Sequence, residues 1–160
     1  MIVPAEDELR RLYAESTTIA VVGCSGHWPK PAHVVPAYMQ TVGYRIFPVN
    51  PGEDELLGEP CVATLQDLSE PVDIVNVFRL APEVPAIARS AVELGARCLW
   101  IQNGIESEEG AAIAAEGGLV VVMGVCIGIV HGDLGLGVGV TEWKAAREAS
   151  WQRPAAAEPG

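Results

Sequence analysis

The fold of this chain is most constrained by a series of short apolar segments, rich in valine and isoleucine, that alternate with longer stretches of helical periodicity. This alternation is typical of a parallel sheet that helices cover on both faces, with a helix connecting each strand to the next. We therefore predict an α/β fold, a Rossmann-like three-layer sandwich with a mostly parallel sheet of five or six strands. The strands are expected at Ile19–Val22, Arg45–Val49, Ile74–Phe78, Cys98–Ile101 and Val120–Met123.

Helical spacing between these strands and at both ends of the sheet predicts six helices. One further segment, Gly124–Gly139, mixes six glycines with valine, isoleucine and leucine, so a sixth strand and an extended loop both remain open there. A chain of 160 residues has the size of one domain. We expect that domain over residues 1–152 and a disordered tail, rich in proline and alanine, over residues 153–160. The predicted helices are Glu6–Ala14, Pro31–Thr41, Thr64–Leu68, Val84–Leu94, Ser107–Glu116 and Thr141–Trp151.

The acidic composition restricts the kinds of molecule that this chain can bind. Ten Lys and Arg residues against 21 Asp and Glu residues give a net charge of −11, which repels phosphate backbones and anionic membrane surfaces. We expect no nucleic-acid partner and no membrane partner. The longest apolar run, Leu119–Val130, is shorter than the roughly 20 residues that span a bilayer. The four cysteines have no C-x-x-C spacing, which favours reduced thiols and a cytoplasmic location.

The loop after the first strand, Gly23–Pro31, is the strongest candidate for an anion site. In an open parallel sheet, ligands bind outside the carboxyl ends of the strands, and the first turn of a helix presents free N–H groups to a phosphate. The Ser25 hydroxyl and the Lys30 ammonium group can add to those donors. The alternative is that the two glycines only allow the chain to turn. The predicted binding residues of this loop are Gly23, Cys24, Ser25, Gly26, His27, Trp28 and Lys30.

The distribution of charged residues around this loop favours the binding of an anion. Residues 16–52 contain Lys30 and Arg45 but no Asp or Glu, although the whole chain is acidic. The competing interpretation is that this segment lacks carboxylates because it is core.

Three other strand ends supply candidate binding residues, namely Asn50 with Pro51, Phe78 with Arg79, and Gln102 with Asn103. Arg79 can pair with a phosphate or bridge to Glu83. A nicotinamide dinucleotide is disfavoured, because Ser25 occupies the second glycine position of G-x-G-x-x-G and Asn50 stands where an acidic residue is expected.

No catalytic or metal-binding constellation is evident. The chain has no G-x-S-x-G and no H-E-x-x-H motif, and its three histidines are widely separated. Cys24, at the start of a predicted helix, can react as a thiolate or simply pack in the interior. We assign no catalytic and no metal-binding residue, and we leave open whether the chain is an enzyme.

Five segments of the chain, in order, resemble one known family. The chain is similar to the small stand-alone CoA-binding proteins, and to the CoA-binding domain of the succinyl-CoA synthetase alpha subunit and of the ADP-forming acyl-CoA synthetases. The segments that carry the resemblance are Ile19–Ser25, Gly43–Pro51, Val72–Arg79, Gly95–Gly104 and Val121–Met123.

The resemblance implies that coenzyme A, or an acyl-CoA, lies at the carboxyl edge of the sheet. The 3′-phospho-ADP moiety would lie near the glycine loop and the second strand. Two departures from the family pattern stand out: Gly52-Glu53 replaces a lysine of the synthetases, and Gly124-Val125 replaces an Asp-Arg pair. By position, the resemblance places Ser25, Gly26, His27 and Trp28 on the phosphates, Asn50 and Pro51 on the nucleotide, and Ile101, Gln102 and Asn103 along the rest of the ligand.

The expected function is therefore a non-catalytic module that binds CoA or an acyl-CoA. Two alternatives stay open: a nucleotide-dependent enzyme of unknown reaction, and a partner-binding module with a vestigial pocket. A homo-oligomer or a protein partner also stays open.

Overall fold

A five-stranded parallel sheet forms the centre of the structure. The computed structural model describes residues 1–152. The strands are β1 (Thr18–Val22), β2 (Arg45–Val49), β3 (Glu55–Leu56), β4 (Glu59–Pro60), β5 (Ile74–Val77), β6 (Cys98–Ile101) and β7 (Val120–Met123). The strand order in the sheet is β2-β1-β5-β6-β7, and every neighbouring pair is parallel. The strands β3 and β4, of two residues each, form a separate antiparallel hairpin.

Six α-helices accompany the strands within the described residues, and none of them is long and apolar enough to cross a membrane. Five of the six predicted helices are confirmed to within one residue at each end. The sixth, over Thr64–Leu68, forms only a 3₁₀ turn at Leu65–Asp67. The helices are α1 (Glu6–Glu15), α2 (Pro31–Thr41), α3 (Val84–Glu93), α4 (Glu108–Glu116), α5 (Ile127–Asp133) and α6 (Val140–Gln152).

The segment Gly124–Gly139 contains α5, so neither alternative that the sequence suggested for it, a sixth strand or an extended loop, is right. One of its glycines, Gly128, allows close packing of two helices. A Cβ atom at Gly128 would lie 2.8 Å from Cβ of Val140, the first residue of α6. The β-branched residues of this segment suggested a strand, whereas the small residues allow a helix to lie close to its neighbour.

The predicted α/β, Rossmann-like fold is confirmed. The strands β5 and β6 are buried throughout, since helices cover both faces. One layer of the core lies between the sheet and α1, α2, α5 and α6, and the other lies between the sheet and α3 and α4. The prediction of a single domain over residues 1–152 stays a prediction, and the predicted disorder of residues 153–160 lies outside the described residues.

The chain order places a ligand crevice next to β1. The chain passes from β1 to β2 on one side and then returns to β5 on the other side of β1. Such a reversal separates the loops that follow the two neighbouring strands and opens a crevice at the carboxyl edge. The loop Gly23–Pro31 follows β1 and therefore lies at this crevice.

Candidate functional site

Gly23 allows the ends of β1 and β5 to approach each other closely. Its φ angle is +90°, in the region that favours glycine. A Cβ atom at this position would lie 2.6 Å from the carbonyl oxygen of Phe78 and 2.8 Å from Cδ of Arg79. The glycine is thus required both for the turn and for the contact between the two strand ends.

Ser25 is anchored to α2 by a hydrogen bond that a proline makes possible. Pro36 lies inside α2 and has no N–H group, so the carbonyl oxygen of Ala32, four residues earlier, lacks its helical donor. The N–H of Ser25 donates to that oxygen at 3.0 Å. The glycine loop is in this way tied to the first turn of the helix that follows it.

The other polar atoms of Ser25 also order the loop. Its hydroxyl oxygen accepts a hydrogen bond from the N–H of His27 at 3.1 Å, and its carbonyl oxygen accepts one from Nδ1 of His33 at 2.7 Å. Within residues 1–152, the N–H groups of Cys24, Gly26 and Trp28 have no hydrogen-bond acceptor in the protein. Because Cys24 is completely buried, the N–H groups of Gly26 and Trp28, rather than the Ser25 amide, are the ones left for an anion.

Asn50 and Arg79 flank this loop. The side-chain amide of Asn50 donates to the carbonyl oxygen of Cys24 at 2.9 Å, and its Oδ1 accepts from the N–H of Gly52 at 2.8 Å. Asn50 therefore connects the end of β2 to the glycine loop. Arg79 forms an ion pair with Glu83 at 3.0 Å, one of the two alternatives that the sequence left open. Both side chains are nearly half exposed, so this pair is weak.

Two cavities adjoin the glycine loop, one on each side. A cavity of about 480 Å³ lies towards β2 and α3, and one of about 610 Å³ lies towards α2, α5 and α6. Both have volumes typical of small-molecule sites. Of the predicted site residues, Gly23, Asn50, Pro51 and Arg79 line the smaller cavity, and Lys30, Phe78, Gln102 and Asn103 line the larger one.

The remaining predicted site residues line neither cavity. Cys24 is completely buried, and burial raises the pKa of its thiol to about 12, so the geometry does not favour a reactive thiolate. Ile101 is also completely buried, in the core beneath α3 and α4. Ser25, Gly26 and His27 form the outer part of the loop, where their backbone is oriented by the bonds described above.

Trp28 packs against α6. Its ring centroid lies 5.9 Å from that of Trp143 and 5.0 Å from that of Trp151, and its Nε1 donates to Glu148 at 3.3 Å. The guanidinium of Arg147 lies 5.7 Å from the Trp28 ring. Trp28 therefore holds the C-terminal helix on the loop, and its assignment to the binding site stays a prediction.

Gln102 is the most confined polar side chain of the larger cavity, with 3% of its surface exposed. Its Oε1 accepts hydrogen bonds from Nδ2 of Asn76 at 3.3 Å and from the N–H of Ile127 at 3.4 Å. These two donors fix the orientation of the amide. No acceptor for its Nε2 is found among residues 1–152.

Behind the larger cavity lies a buried polar cluster that the sequence did not reveal. The Tyr38 hydroxyl accepts a hydrogen bond from the N–H of Gly139 at 3.0 Å and lies 2.8 Å from Nδ1 of His131. If the hydroxyl donates its hydrogen to Nδ1, His131 carries its ring proton on Nε2. Burial lowers the pKa of His131.

A sequence model of a known family matches most of this chain. The family is described as "CoA binding domain", and the match covers residues 17–132. An uncharacterised protein of Bacillus subtilis, YneT, is 39% identical over 128 residues, which is 80% of this chain and 95% of that protein.

Two further proteins extend the comparison. An ADP-forming acetate–CoA ligase of Archaeoglobus fulgidus is 29% identical over 105 residues, 64% of this chain but only 16% of the ligase. The solved structure of a Thermus thermophilus protein, cell-free ID.343, superimposes with a TM-score of 0.78 at 38% identity, covering 82% of this chain and 99% of that one. The chain thus corresponds to a small part of the ligase and to almost the whole of the Thermus protein.

Proposed function

This chain belongs to the CoA binding domain family, and from that premise we propose that it binds coenzyme A at the carboxyl edge of its sheet, as a binding module rather than an enzyme. The observation that carries the proposal is the position of the glycine loop between two cavities. The free N–H groups of Gly26 and Trp28 lie in the loop between them, and backbone N–H groups of this kind bind phosphates. A long ligand with a central pyrophosphate suits that arrangement.

The smaller cavity suits the nucleotide part of CoA. Asn50 and Pro51 lie on one side of it, and Arg79 lies on the other. Because the exposed ion pair of Arg79 with Glu83 is weak, a phosphate can displace the carboxylate. Gly52 and Glu53 follow Pro51 directly, so this chain lacks the lysine that the synthetases place there for the 3′-phosphate. Among the described residues that line this cavity, Arg79 is the one cation.

The larger cavity suits the pantetheine arm. Phe78 offers an apolar surface, and the exposed Asn103 offers an amide group that can bond with the amides of the arm. Amide side chains donate and accept hydrogen bonds but do not transfer protons, which supports binding rather than catalysis.

The local charge favours an anionic ligand. Lys30 forms no ion pair with a carboxylate of the described chain, and it lies at the edge of the larger cavity. No acidic residue occurs from residue 16 to residue 52 in a protein of net charge −11. The cysteines that the structure describes are all free thiols, which is consistent with a reducing, cytoplasmic location.

Isothermal titration calorimetry with CoA, dephospho-CoA and NAD tests this proposal. We expect binding of CoA, weaker binding by the Lys30→Ala variant, and unchanged binding by the matched Arg89→Ala variant, whose guanidinium pairs with Glu109 away from the site. NAD should give no signal. An absence of heat and of thermal stabilisation with CoA would overturn the proposal and favour a protein partner, and tight binding of NAD would favour a nucleotide-dependent enzyme.

A further inference from the structure

We infer that the larger cavity accommodates the acyl group of a short-chain acyl-CoA, with the thioester carbonyl at Nε2 of Gln102. This inference rests on the proposed function and specifies its ligand as an uncharged, short-chain acyl thioester in preference to free CoA.

The floor of the cavity is apolar and its rim is polar. Val34, Val35, Cys126 and Val140 are each more than nine-tenths buried and line the cavity, whereas Lys30 and Lys144 lie at its more exposed side. The two amides of a pantetheine arm would find no hydrogen-bond partners on such a floor, and a buried amide without a hydrogen bond is unfavourable. An alkyl chain needs none.

One polar group interrupts this floor, and it is a hydrogen-bond donor. Gln102 presents Nε2 to the cavity while Asn76 and Ile127 hold its Oε1 from behind. In the part of the chain that the structure describes, this Nε2 has no hydrogen-bond acceptor, so its N–H groups are left to donate to a ligand in the cavity. A carbonyl oxygen at this position satisfies it. A single carbonyl followed by an alkyl chain is the chemistry of a thioester-linked acyl group.

One wall of the larger cavity is supplied by α6. Val140, Thr141 and Lys144 come from that helix, and they lie beyond residue 132, where the family match ends. The contacts of Trp28 with Trp143 hold α6 against the glycine loop. The compartment is therefore built mainly by the segment that matches the family and is completed by the C-terminal helix beyond it.

Charge limits the class of acyl group. Within residues 1–152 the floor contains no cation, so a carboxylate at the end of the acyl chain would be buried there without a partner, which is strongly unfavourable. Butyryl-CoA should accordingly bind more tightly than CoA, and succinyl-CoA should not.

Calorimetry with CoA, acetyl-CoA, butyryl-CoA, succinyl-CoA and free butyrate tests the inference. Each buried methylene should tighten binding about four-fold from acetyl-CoA to butyryl-CoA. Ile129→Asp, which places a charge in the cavity wall, should lower the ratio of butyryl-CoA to CoA affinity. Leu136→Asp is the matched control, because Leu136 lies outside the cavity and is 42% exposed, against 43% for Ile129. That variant should leave the ratio unchanged.

The outcomes separate this inference from the function on which it rests. If CoA binds and butyryl-CoA binds no more tightly, the acyl compartment is wrong and the proposed function stands. If CoA itself does not bind, both are wrong. Equal affinity for free butyrate and butyryl-CoA would show that the cavity recognises a carboxylic acid on its own, which also overturns the inference.

Discussion

The N–H of Ser25 donates a hydrogen bond to the carbonyl oxygen of Ala32, which is free to accept it because Pro36 has no N–H of its own. A proline in the middle of a helix is usually destabilising, since it removes one helical hydrogen bond. Here the glycine loop supplies the missing donor. The order of the loop therefore depends on a residue of α2 that lies eleven positions away in the sequence.

Replacing Pro36 by alanine should loosen the loop. The substituted residue would offer a backbone N–H to the Ala32 carbonyl and compete with Ser25, so the amide of Ser25 should exchange with deuterium faster. Hydrogen exchange measured by NMR checks this result, with the amide of Val34 in the same helix as the internal reference. Unchanged protection of the Ser25 amide would show that the loop is held by other contacts.

Replacing Gly23 by alanine should be more destabilising than replacing Gly43 by alanine. Both glycines have a positive φ angle, which costs a non-glycine residue about 1–2 kcal/mol. A Cβ at Gly23 would also collide with the carbonyl oxygen of Phe78, whereas a Cβ at Gly43 has open space around it. Urea unfolding of the two variants measures the difference, and equal losses of unfolding free energy would contradict a close approach of β1 and β5.

Replacing Glu83 by glutamine should strengthen CoA binding. The change removes the carboxylate that pairs with Arg79 and leaves the guanidinium free for a phosphate. Since an exposed ion pair contributes about 0–1 kcal/mol, affinity should rise by at most about five-fold. Glu109→Gln, which frees Arg89 instead, is the matched control. If both variants bind CoA with the same affinity as the parent protein, Arg79 does not contact the ligand.

His131 should make the stability of the protein depend on pH below neutrality. Its pKa is lowered by burial from an ordinary value of 6.5, and the groups that face it, the hydroxyl of Tyr38 and the rings of Tyr13 and Tyr44, carry no charge. In this range the unfolded chain binds a proton that the folded chain does not, so the unfolding free energy falls as pH falls from 6.5 towards the lowered pKa.

The corresponding measurement is urea unfolding between about pH 5 and about pH 7.5, a range that brackets the ordinary histidine pKa. The slope of unfolding free energy against pH should become smaller in His131→Gln and stay the same in His27→Gln, since His27 is exposed. A slope that persists in His131→Gln would assign the effect to other groups.

The sequence predicted the central sheet because its strands are buried on both faces and therefore appear as continuous β-branched runs. It also predicted that the candidate site lies at the carboxyl edge of the sheet, because the carboxyl ends of parallel strands meet there. The hydrogen bond from Ser25 to Ala32 was harder to predict. One signal was present in the sequence: a proline four residues after Ala32 indicates a carbonyl oxygen without its helical donor.

The larger cavity was not predictable in the same way. Its walls come from α2, α5 and α6, which are distant in sequence, and α5 contains two isoleucines and a valine, residue types that usually indicate a strand. Gly128 allows this helix to approach α6, and only the packing of the two helices reveals it. Where tertiary contacts decide the secondary structure, local patterns are insufficient.

The packing of Trp28 against Trp143 and Trp151 also provides an optical signal. Of the four tryptophans of the chain, only Trp100 lies outside this group, and it is completely buried in the core. Coupled indole rings at such short separation contribute to near-ultraviolet circular dichroism, and their emission is sensitive to quenching by neighbouring groups. Any displacement of α6 from the glycine loop would change both spectra, so the native protein can report on its own loop without an attached dye.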